Sequence, residues 1–167
     1  TSTQDGYLLR ILPNGDVDWM SEVPGTVKGI LERPSDSSIF LTGTFTATKT
    51  FGSTSLSAHG SRDIFISEYI HPDGFSGIHQ VGGMDVDEIT SIVFDMREHL
   101  VLSGSWGKVS EDWSIQFGDE LTLESNDYVD AFTASLNPSG SWDWAVRGTS
   151  NRDDSAVAAF LDESGSL

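Results

Sequence analysis

The feature that most constrains the fold of this chain is an internal repeat. The stretch "DIFISEYIHPDG", which starts at Asp63, is matched by "DAFTASLNPSG" from Asp130 and "DGYLLRILPNG" from Asp5. Each stretch has an Asp, an aromatic residue two positions later, a strand-like run and a Pro-x-Gly turn. Proline presets φ in such a turn and glycine takes the left-handed position, so the chain can reverse between two strands. The pattern predicts three hairpins of one type, in units that start near residues 5, 63 and 130.

The return strand of each hairpin carries a large apolar residue four positions after the turn glycine. These residues are Trp19, Ile78 and Trp144. A side chain at this place can pack on the buried face of the hairpin. The second unit has one extra residue before its proline, which either a bulge or a misalignment by one position would explain.

A second hairpin follows in each unit. "VKGILERPSDSSIFLTGTF" aligns with "EITSIVFDMREHLVLSGSW", and the start of this pattern recurs near the C-terminus as "DSAVAAFLDESGSL", which places Asp154 on Asp87. The first alignment starts at Val27 and Glu88, and it superposes Ile30 on Ile92, Gly43 on Gly104 and Phe45 on Trp106. Both complete copies have short apolar runs around a polar turn, which is typical of paired strands.

Short apolar runs, frequent Gly, Pro, Ser and Asp punctuation and the lack of a helical period predict an all-β fold. Each unit would hold four short strands, labelled A to D. Tandem four-stranded antiparallel units are typical of β-propeller blades. We therefore expect residues 1–167 to form a single propeller-like region of about two and a half blades. The complete blades would be 27–83 and 87–148, with a half-blade at each end, so that no ring closes within one chain.

The order of these motifs resembles the bacterial and archaeal β-propeller repeat of the SBBP type. The likeness rests on the Asp-x-Phe start, the Pro-x-Gly turn, a Trp, a Gly-Gly or Gly-Thr, the "IVFD" and "LSGS" strands, and Phe-Gly followed by Leu. It covers nearly the whole chain, twice complete and once partial. The resemblance implies a secreted or cell-surface scaffold and brings no catalytic residues. The chain departs from the pattern at "PGTVKG" in the first unit and at the "KVSED" insertion in the second.

Composition excludes several classes of function. The chain has 26 acidic and 9 basic residues, with a formal net charge of -17, so it repels nucleic acids and anionic membrane surfaces. The acids are dispersed, as on a solvated surface, although cations or basic partners could also bind them. There is no cysteine, and no apolar run is long enough to insert into a membrane. Because Thr1 begins neither a signal peptide nor a normal initiator start, we expect the chain to be processed or excised from a longer one.

The irregular loops predict where a partner would bind. In a propeller blade the D-to-A and B-to-C connections share one face, and here they carry the long and variable segments. Acids in the D-to-A loops are Asp85, Asp87, Asp153 and Asp154. Calcium could bind Asp85, Asp87 and Glu88 through their oxygens, but the loop lacks the glycine and glutamate of an EF-hand. The alternative is that these acids cap turns. Calcium is the only cofactor that the sequence suggests.

Two tryptophans flank the insertion in the second unit. Trp106 and Trp113 could stack on a sugar with help from nearby acids, or Trp106 could replace Phe45 as a packing residue. The four histidines fall at unrelated positions, and the serines lack a G-x-S-x-G motif. We therefore assign no catalytic residue.

The favoured function is a non-catalytic extracellular repeat scaffold that binds a protein or a glycan through the irregular-loop face. One alternative is a segment of a glycoside-processing enzyme that uses the acidic loop residues. Another is a purely structural spacer of a larger surface protein. Because open sheet edges invite pairing, the chain could be a fragment of a longer propeller, a homo-oligomer or an open wedge of blades.

Overall fold

The computed structural model describes residues 5–107, 114–125 and 128–162. These residues form fourteen β-strands and no helix, which confirms the expected all-β class, and none of their sheets closes on itself. The strands are β1 (Gly6–Ile11), β2 (Val17–Val23), β3 (Thr26–Glu32), β4 (Ile39–Phe45), β5 (Thr48–Phe51), β6 (Thr54–Ser57), β7 (Asp63–Ile70), β8 (Gly74–Gly83), β9 (Asp87–Phe94), β10 (Leu100–Trp106), β11 (Ser114–Phe117), β12 (Leu121–Glu124), β13 (Asp130–Leu136) and β14 (Trp142–Gly148).

Three layers follow one another along the chain. The N-terminal hairpin is β1 and β2. Sheet I contains β3, β4, β7 and β8 in that order, and sheet II contains β9, β10, β13 and β14 in that order. All neighbouring strands in these layers are antiparallel. The two sheets therefore repeat one strand order.

The register of the strands repeats as well. Phe65 lies opposite Gly43 in sheet I, and Phe132 lies opposite Gly104 in sheet II. A Cβ atom on Gly43 would come within 2.8 Å of the Phe65 ring, and one on Gly104 within 2.7 Å of the Phe132 ring. The glycine in "LTG" and "LSG" thus leaves room for an aromatic ring on the next strand.

The first strands of the two sheets, β3 and β9, do not superpose in the way that the start of the sequence alignment predicts, because the matching residues are shifted by one position. Val27 pairs with Gly43, and Ile89 pairs with Gly104, so Val27 corresponds to Ile89 and not to Glu88. The superposition of Ile30 on Ile92, which is one position out of step with that start, is correct. The difference arises because the connection at 33–38 is one residue longer than the one at 95–99.

The extra residue before Pro72 reflects a misalignment of the turns. Ile70 pairs with Gly74, and the Asn137 amide donates to the Ser141 carbonyl at the same level of sheet II. Gly74 therefore begins the return strand and does not close the turn. As a result His79 is level with Val146, opposite Ile66 and Thr133 respectively, and Ile78 does not correspond to Trp144.

Each unit also contains a short hairpin that the four-strand prediction missed. The hairpin β5–β6 lies between β4 and β7, and β11–β12 lies between β10 and β13. The strand β11 pairs with β8, so the second short hairpin extends sheet I to six strands. The connection between strands of sheet II thus fastens the two sheets together.

Sheet I is the middle layer of the molecule. Leu41 and Phe65 are buried on the face covered by the N-terminal hairpin. Their chain neighbours Phe40, Ile64 and Ile66 are buried on the opposite face, against sheet II. Alternation along a strand sends successive side chains to opposite faces, and both faces of these strands are apolar. The core is therefore two apolar layers, one on each side of sheet I.

The C-terminal segment, residues 153–162, does not form the expected strand A. It contains no strand, although the Asp154 amide donates to the Val129 carbonyl at 2.7 Å and the Ala159 amide to the Ser91 hydroxyl at 3.1 Å. Among the described strands of both sheets, strand A pairs with strand B alone. Within the part of the chain that the structure describes, no strand lies in that place beside the segment, so its backbone has no ladder to join.

Candidate functional site

The predicted loop face is built where β8 leads into β9 and where the chain enters β7. The Asp85 carbonyl accepts hydrogen bonds from the Ser61 amide at 3.0 Å and the Arg62 amide at 3.2 Å. The Asp87 amide donates back to the Arg62 carbonyl at 2.9 Å. These backbone bonds hold the D-to-A loop against the B-to-C loop. Asp85 and Asp87 are both buried.

The Asp87 carboxyl is a buried acid with one capped oxygen. The Gly83 amide donates to Oδ2 at 2.8 Å, while Oδ1 has no hydrogen-bond partner among the described residues. Burial, together with the smaller effect of the neighbouring carboxylates of Asp63, Asp85 and Glu88, raises the pKa of Asp87 to about 8, against the hydrogen bond from Gly83, which lowers it. At pH 7 the side chain is therefore mostly protonated.

The same loop arrangement recurs after sheet II, around Asp154. The Ser150 amide donates to Oδ2 of Asp154 at 2.5 Å, and the Ser150 hydroxyl approaches Oδ1 at 3.1 Å. The neighbouring Asp153 accepts from the Val129 amide at 3.3 Å. Asp87 and Asp154 thus cap equivalent loops, which is the turn-capping role that the sequence left open.

A further buried acid begins the third strand of each sheet. In sheet I, Asp63 accepts from the Gln80 side chain at 2.6 Å and from the His59 amide at 3.1 Å. In sheet II, Asp130 lies 3.8 Å from the Arg147 guanidinium. Sequence reasoning used these aspartates only to mark the units. Their recurrence as the first residue of each unit is the signal that could have indicated this structural role.

The candidate calcium ligands do not form a compact cluster. Glu88 pairs with the Arg62 guanidinium, while Asp87 faces Gly83. In residues 5–107, 114–125 and 128–162, no group of three or more His, Asp or Glu side chains is placed to hold a metal ion. Calcium at Asp85, Asp87 and Glu88 therefore stays a prediction.

Of the two tryptophans of the second unit, only Trp106 lies within the described residues. Trp106 is only 2% exposed, and its ring centroid lies 6.3 Å from that of Phe132 in the core. This position agrees with the packing alternative and leaves little surface for a sugar. Trp113 lies outside the described residues, as does the "KVSED" insertion.

A cavity lies at the opposite end of the strands from the predicted face. It has a volume of about 680 Å³ and opens beside β1, next to the turns after β3 and β7. Trp19 lines it and stacks on His71 and Tyr69, with ring centroids 4.6 Å and 5.5 Å apart. Among the described strands β1 pairs only with β2, so the cavity occupies the space beside an open sheet edge. Sequence reasoning missed this cavity.

Comparisons with known proteins bring no relative. No family model matches the chain, and no curated protein or solved structure matches it either. Within the described residues there is no helix of the length and apolarity needed to cross a membrane. The functional argument therefore rests on the geometry of the chain itself.

Proposed function

We propose that the chain is part of an extracellular, β-propeller-like repeat scaffold of the SBBP type that has no catalytic activity and binds a protein or a glycan. In this proposal sheets I and II are consecutive blades. The N-terminal hairpin and the C-terminal segment then belong to incomplete blades at the two ends. The observation that carries the proposal is that both sheets repeat one strand order together with one set of loop contacts.

The repeated loop contacts favour a scaffold because successive layers need the same connection. Asp87 accepts from the Gly83 amide and Asp154 from the Ser150 amide, each at the entry to the next layer. In tandem-repeat proteins each unit contacts only its neighbours, so a repeated connection sets a repeated spacing.

The same contacts support a role without catalysis at these loops. Glycoside cleavage needs two carboxyl groups that flank a substrate bond. Here the carboxyl groups of Asp87 and Asp154 hold backbone amides, and Glu88 pairs with Arg62. These acids stabilise the loops, which supports the scaffold over the glycoside-processing alternative.

We place the partner contact on the exposed rim of the irregular-loop face. Arg152 and Asp153 are exposed there, whereas Asp85 and Asp87 are buried. Variable loops on a rigid support commonly carry binding residues. The extracellular location rests on the resemblance to the SBBP-type repeat.

The test is a glycan array combined with a panel of purified extracellular proteins, on one sample of the chain. Arg152→Ala should weaken any binding found, and Arg97→Ala is the matched control because Arg97 is exposed at the turn between β9 and β10, at the other end of the strands. Equal losses for both variants would contradict the proposed face. A parallel screen with glycoside substrates should give no turnover, and reproducible hydrolysis would overturn the non-catalytic assignment.

A further inference from the structure

The N-terminal hairpin has an apolar face that points away from sheet I. We call it the outer hairpin face, and its exposed residues are Tyr7, Leu9, Ile11, Val17 and Met20. The opposite face of the hairpin carries Leu8 and Val23, which are buried against sheet I. A contiguous apolar surface of this kind commonly marks an interaction site.

The equivalent face is buried in the two later units. Counted from the Asp that starts each unit, Tyr7 corresponds to Phe65 and Ile11 to Tyr69. Tyr7 and Ile11 are 61% and 59% exposed, whereas Phe65 and Tyr69 are 0% and 5% exposed. The cover for Phe65 and Tyr69 comes from the layer before them in the chain, the hairpin itself. The corresponding residues of sheet II are covered by sheet I in the same way.

The last sheet exposes the face that would provide such cover. We call the side of sheet II that carries Trp144 and Val146 its free face. These two residues lie on β14 and are 36% and 54% exposed. At the β9 edge of the same side the Ser91 hydroxyl accepts from the Ala159 amide, so the C-terminal segment covers that edge and leaves the β14 edge open. In strand register Trp144 corresponds to Trp19, since Trp19 pairs with Arg10 and Trp144 with Ser135 at the same distance from the start of the unit.

The packing of Trp19 shows what a residue in the place of Trp144 contacts on the following layer. Trp19 stacks on Tyr69 and His71 of sheet I. By the same count of positions, their counterparts in the N-terminal hairpin are Ile11 and Pro13. A layer that followed sheet II would therefore present the equivalents of Ile11 and Pro13 to Trp144.

We propose that the outer hairpin face of one copy of this chain packs on the free face of sheet II of a second copy, head to tail, so that Trp144 of the second copy lies against Ile11 and Pro13 of the first. The inference rests on the repeat architecture in the proposed function and adds the partner. It continues between copies the packing that joins the hairpin to sheet I within one copy.

The exposed parts of the N-terminal hairpin and of the C-terminal segment agree with a second copy of the chain as the occupant of these faces. One end of the chain supplies a hairpin with an open β1 edge and the cavity of about 680 Å³ beside it. The other end supplies the C-terminal segment, whose sequence repeats that of β9, and whose Val157 and Phe160 are exposed. The two faces differ, so the contact is heterologous and forms a ring if the rotation closes. Two copies would place six layers in the ring, which is within the usual four to eight blades.

Charge sets the condition under which this contact forms. Each copy carries a formal net charge of -17, so two copies repel each other at long range. Added salt screens this repulsion. Association should therefore strengthen as the salt concentration rises.

The first experiment measures the molar mass by sedimentation and light scattering over a range of protein and salt concentrations. Met20→Glu, on the outer hairpin face, should weaken association by about tenfold or more because it places a charge in the contact. Met96→Glu is the matched control, since Met96 is also an exposed methionine but lies in the turn after β9. A wild-type chain that stays monomeric at high concentration and high salt would overturn the proposal, as would equal effects of the two substitutions.

The second experiment tests the head-to-tail direction by mixing. Met20→Glu and Trp144→Glu should each be monomeric, whereas their mixture should form a heterodimer through the one intact pair of faces. Failure of the mixture to associate, with the far-ultraviolet dichroism of each variant unchanged, would contradict a head-to-tail contact. Pairing of two hairpin faces would instead leave Trp144→Glu dimeric.

The third experiment locates the contact by cross-linking. The chain has no cysteine, so Ile11→Cys combined with Trp144→Cys allows a specific thiol cross-link between copies. The pair should give covalent dimers, and Met96→Cys combined with Trp144→Cys should not.

The contact between copies and the proposed function can fail separately. A chain that stays monomeric but still binds its glycan or protein partner would refute the homotypic contact and leave the proposed function standing. A chain that forms the dimer but binds no partner would refute the proposed function and leave the homotypic contact standing.

Discussion

Sheets I and II have the same strand order but differ in how their faces are covered. In β7 of sheet I the consecutive residues Ile64, Phe65 and Ile66 are all fully buried, because layers lie on both faces. In β13 of sheet II the corresponding stretch is Ala131, Phe132 and Thr133, and only Phe132 is fully buried. A strand covered on both faces needs a nearly continuous apolar run, whereas a strand covered on one face alternates. In this half of the strand the position of the layer in the stack therefore explains the difference in composition, whereas Ala134, Ser135 and Leu136 further along β13 are all buried.

The interiors of the two sheets are otherwise built alike. Phe51, at the tip of the short hairpin β5–β6, packs on Phe65 at 4.9 Å between ring centroids. Phe117, at the tip of β11–β12, packs on Phe132 at 5.3 Å and on Trp142 at 5.2 Å. The comparison teaches that the repeat specifies the contacts within a unit, and that the cover provided by the neighbouring layer specifies the rest.

The largest expected effect comes from removing a ring in the doubly covered sheet. Phe65→Ala should lower the free energy of unfolding by about 3–5 kcal/mol, because it deletes a fully buried ring and leaves a cavity. Val146→Ala, on the free face of sheet II, should stay within about 0.5 kcal/mol in a monomeric sample. Urea unfolding followed by fluorescence measures both. A large loss at Val146 under conditions where the chain is monomeric would break the contrast between the two sheets.

The second prediction contrasts the two capping aspartates by pH. The pKa of Asp87 is raised from its ordinary value of 3.8 to about 8. The folded state therefore holds one more proton than the unfolded state between these values, so the contribution of Asp87 to stability is present below pH 4 and is lost as the pH rises towards 8. The free energy of unfolding should therefore fall by up to about 1.4 kcal/mol per pH unit in this range. Asp87→Asn keeps an oxygen for the Gly83 amide and should remove this slope.

The free energy of unfolding of Asp87→Asn, relative to that of the wild type, should accordingly rise between pH 5 and pH 7, by up to about 3 kcal/mol. Urea unfolding of the wild type and the variant at several pH values measures it. Asp154→Asn is the matched control at the equivalent loop, where the side chain is only half-buried and both oxygens have partners. Parallel stability curves for the wild type and Asp87→Asn would show that the Asp87 carboxyl is ionised in the folded chain.

Much of the fold followed from the pattern of the residues. The alternation of short apolar runs predicted the main strands of both sheets, and the superposition of Gly43 on Gly104 agrees with the register. The hairpins β5–β6 and β11–β12 were missed because each has strands of only four residues. Their signal was Phe51–Gly52 and Phe117–Gly118, with φ of 58° at Gly52 and 57° at Gly118, as tight turns require.

The candidate site was less accessible to sequence reasoning. Loop position was visible in the sequence, but burial was not. Asp87 and Trp106 were candidate contact residues, with turn capping and core packing as their alternatives, and both lie inside the protein. Whether an acid on a loop faces solvent or a backbone amide depends on the second loop that packs against it, here the one that contains Arg62. The cavity beside β1 could not be predicted either, because it depends on how the hairpin is placed over sheet I.

The smallest expected effect compares the turns of the outermost layers. Gly15 in the N-terminal hairpin and Gly140 in sheet II have φ of 91° and 87°, which an alanine adopts only with strain. Gly15→Ala and Gly140→Ala should each cost about 1 kcal/mol. Gly140→Ala should cost slightly more, since its methyl group would lie 3.3 Å from the His79 ring, whereas the space around Gly15 is open. If Gly15→Ala left the urea midpoint unchanged while Gly140→Ala lowered it, the hairpin would unfold separately from the sheets. The apolar cover that it gives to Phe65 would then contribute nothing to the cooperative stability of sheet I.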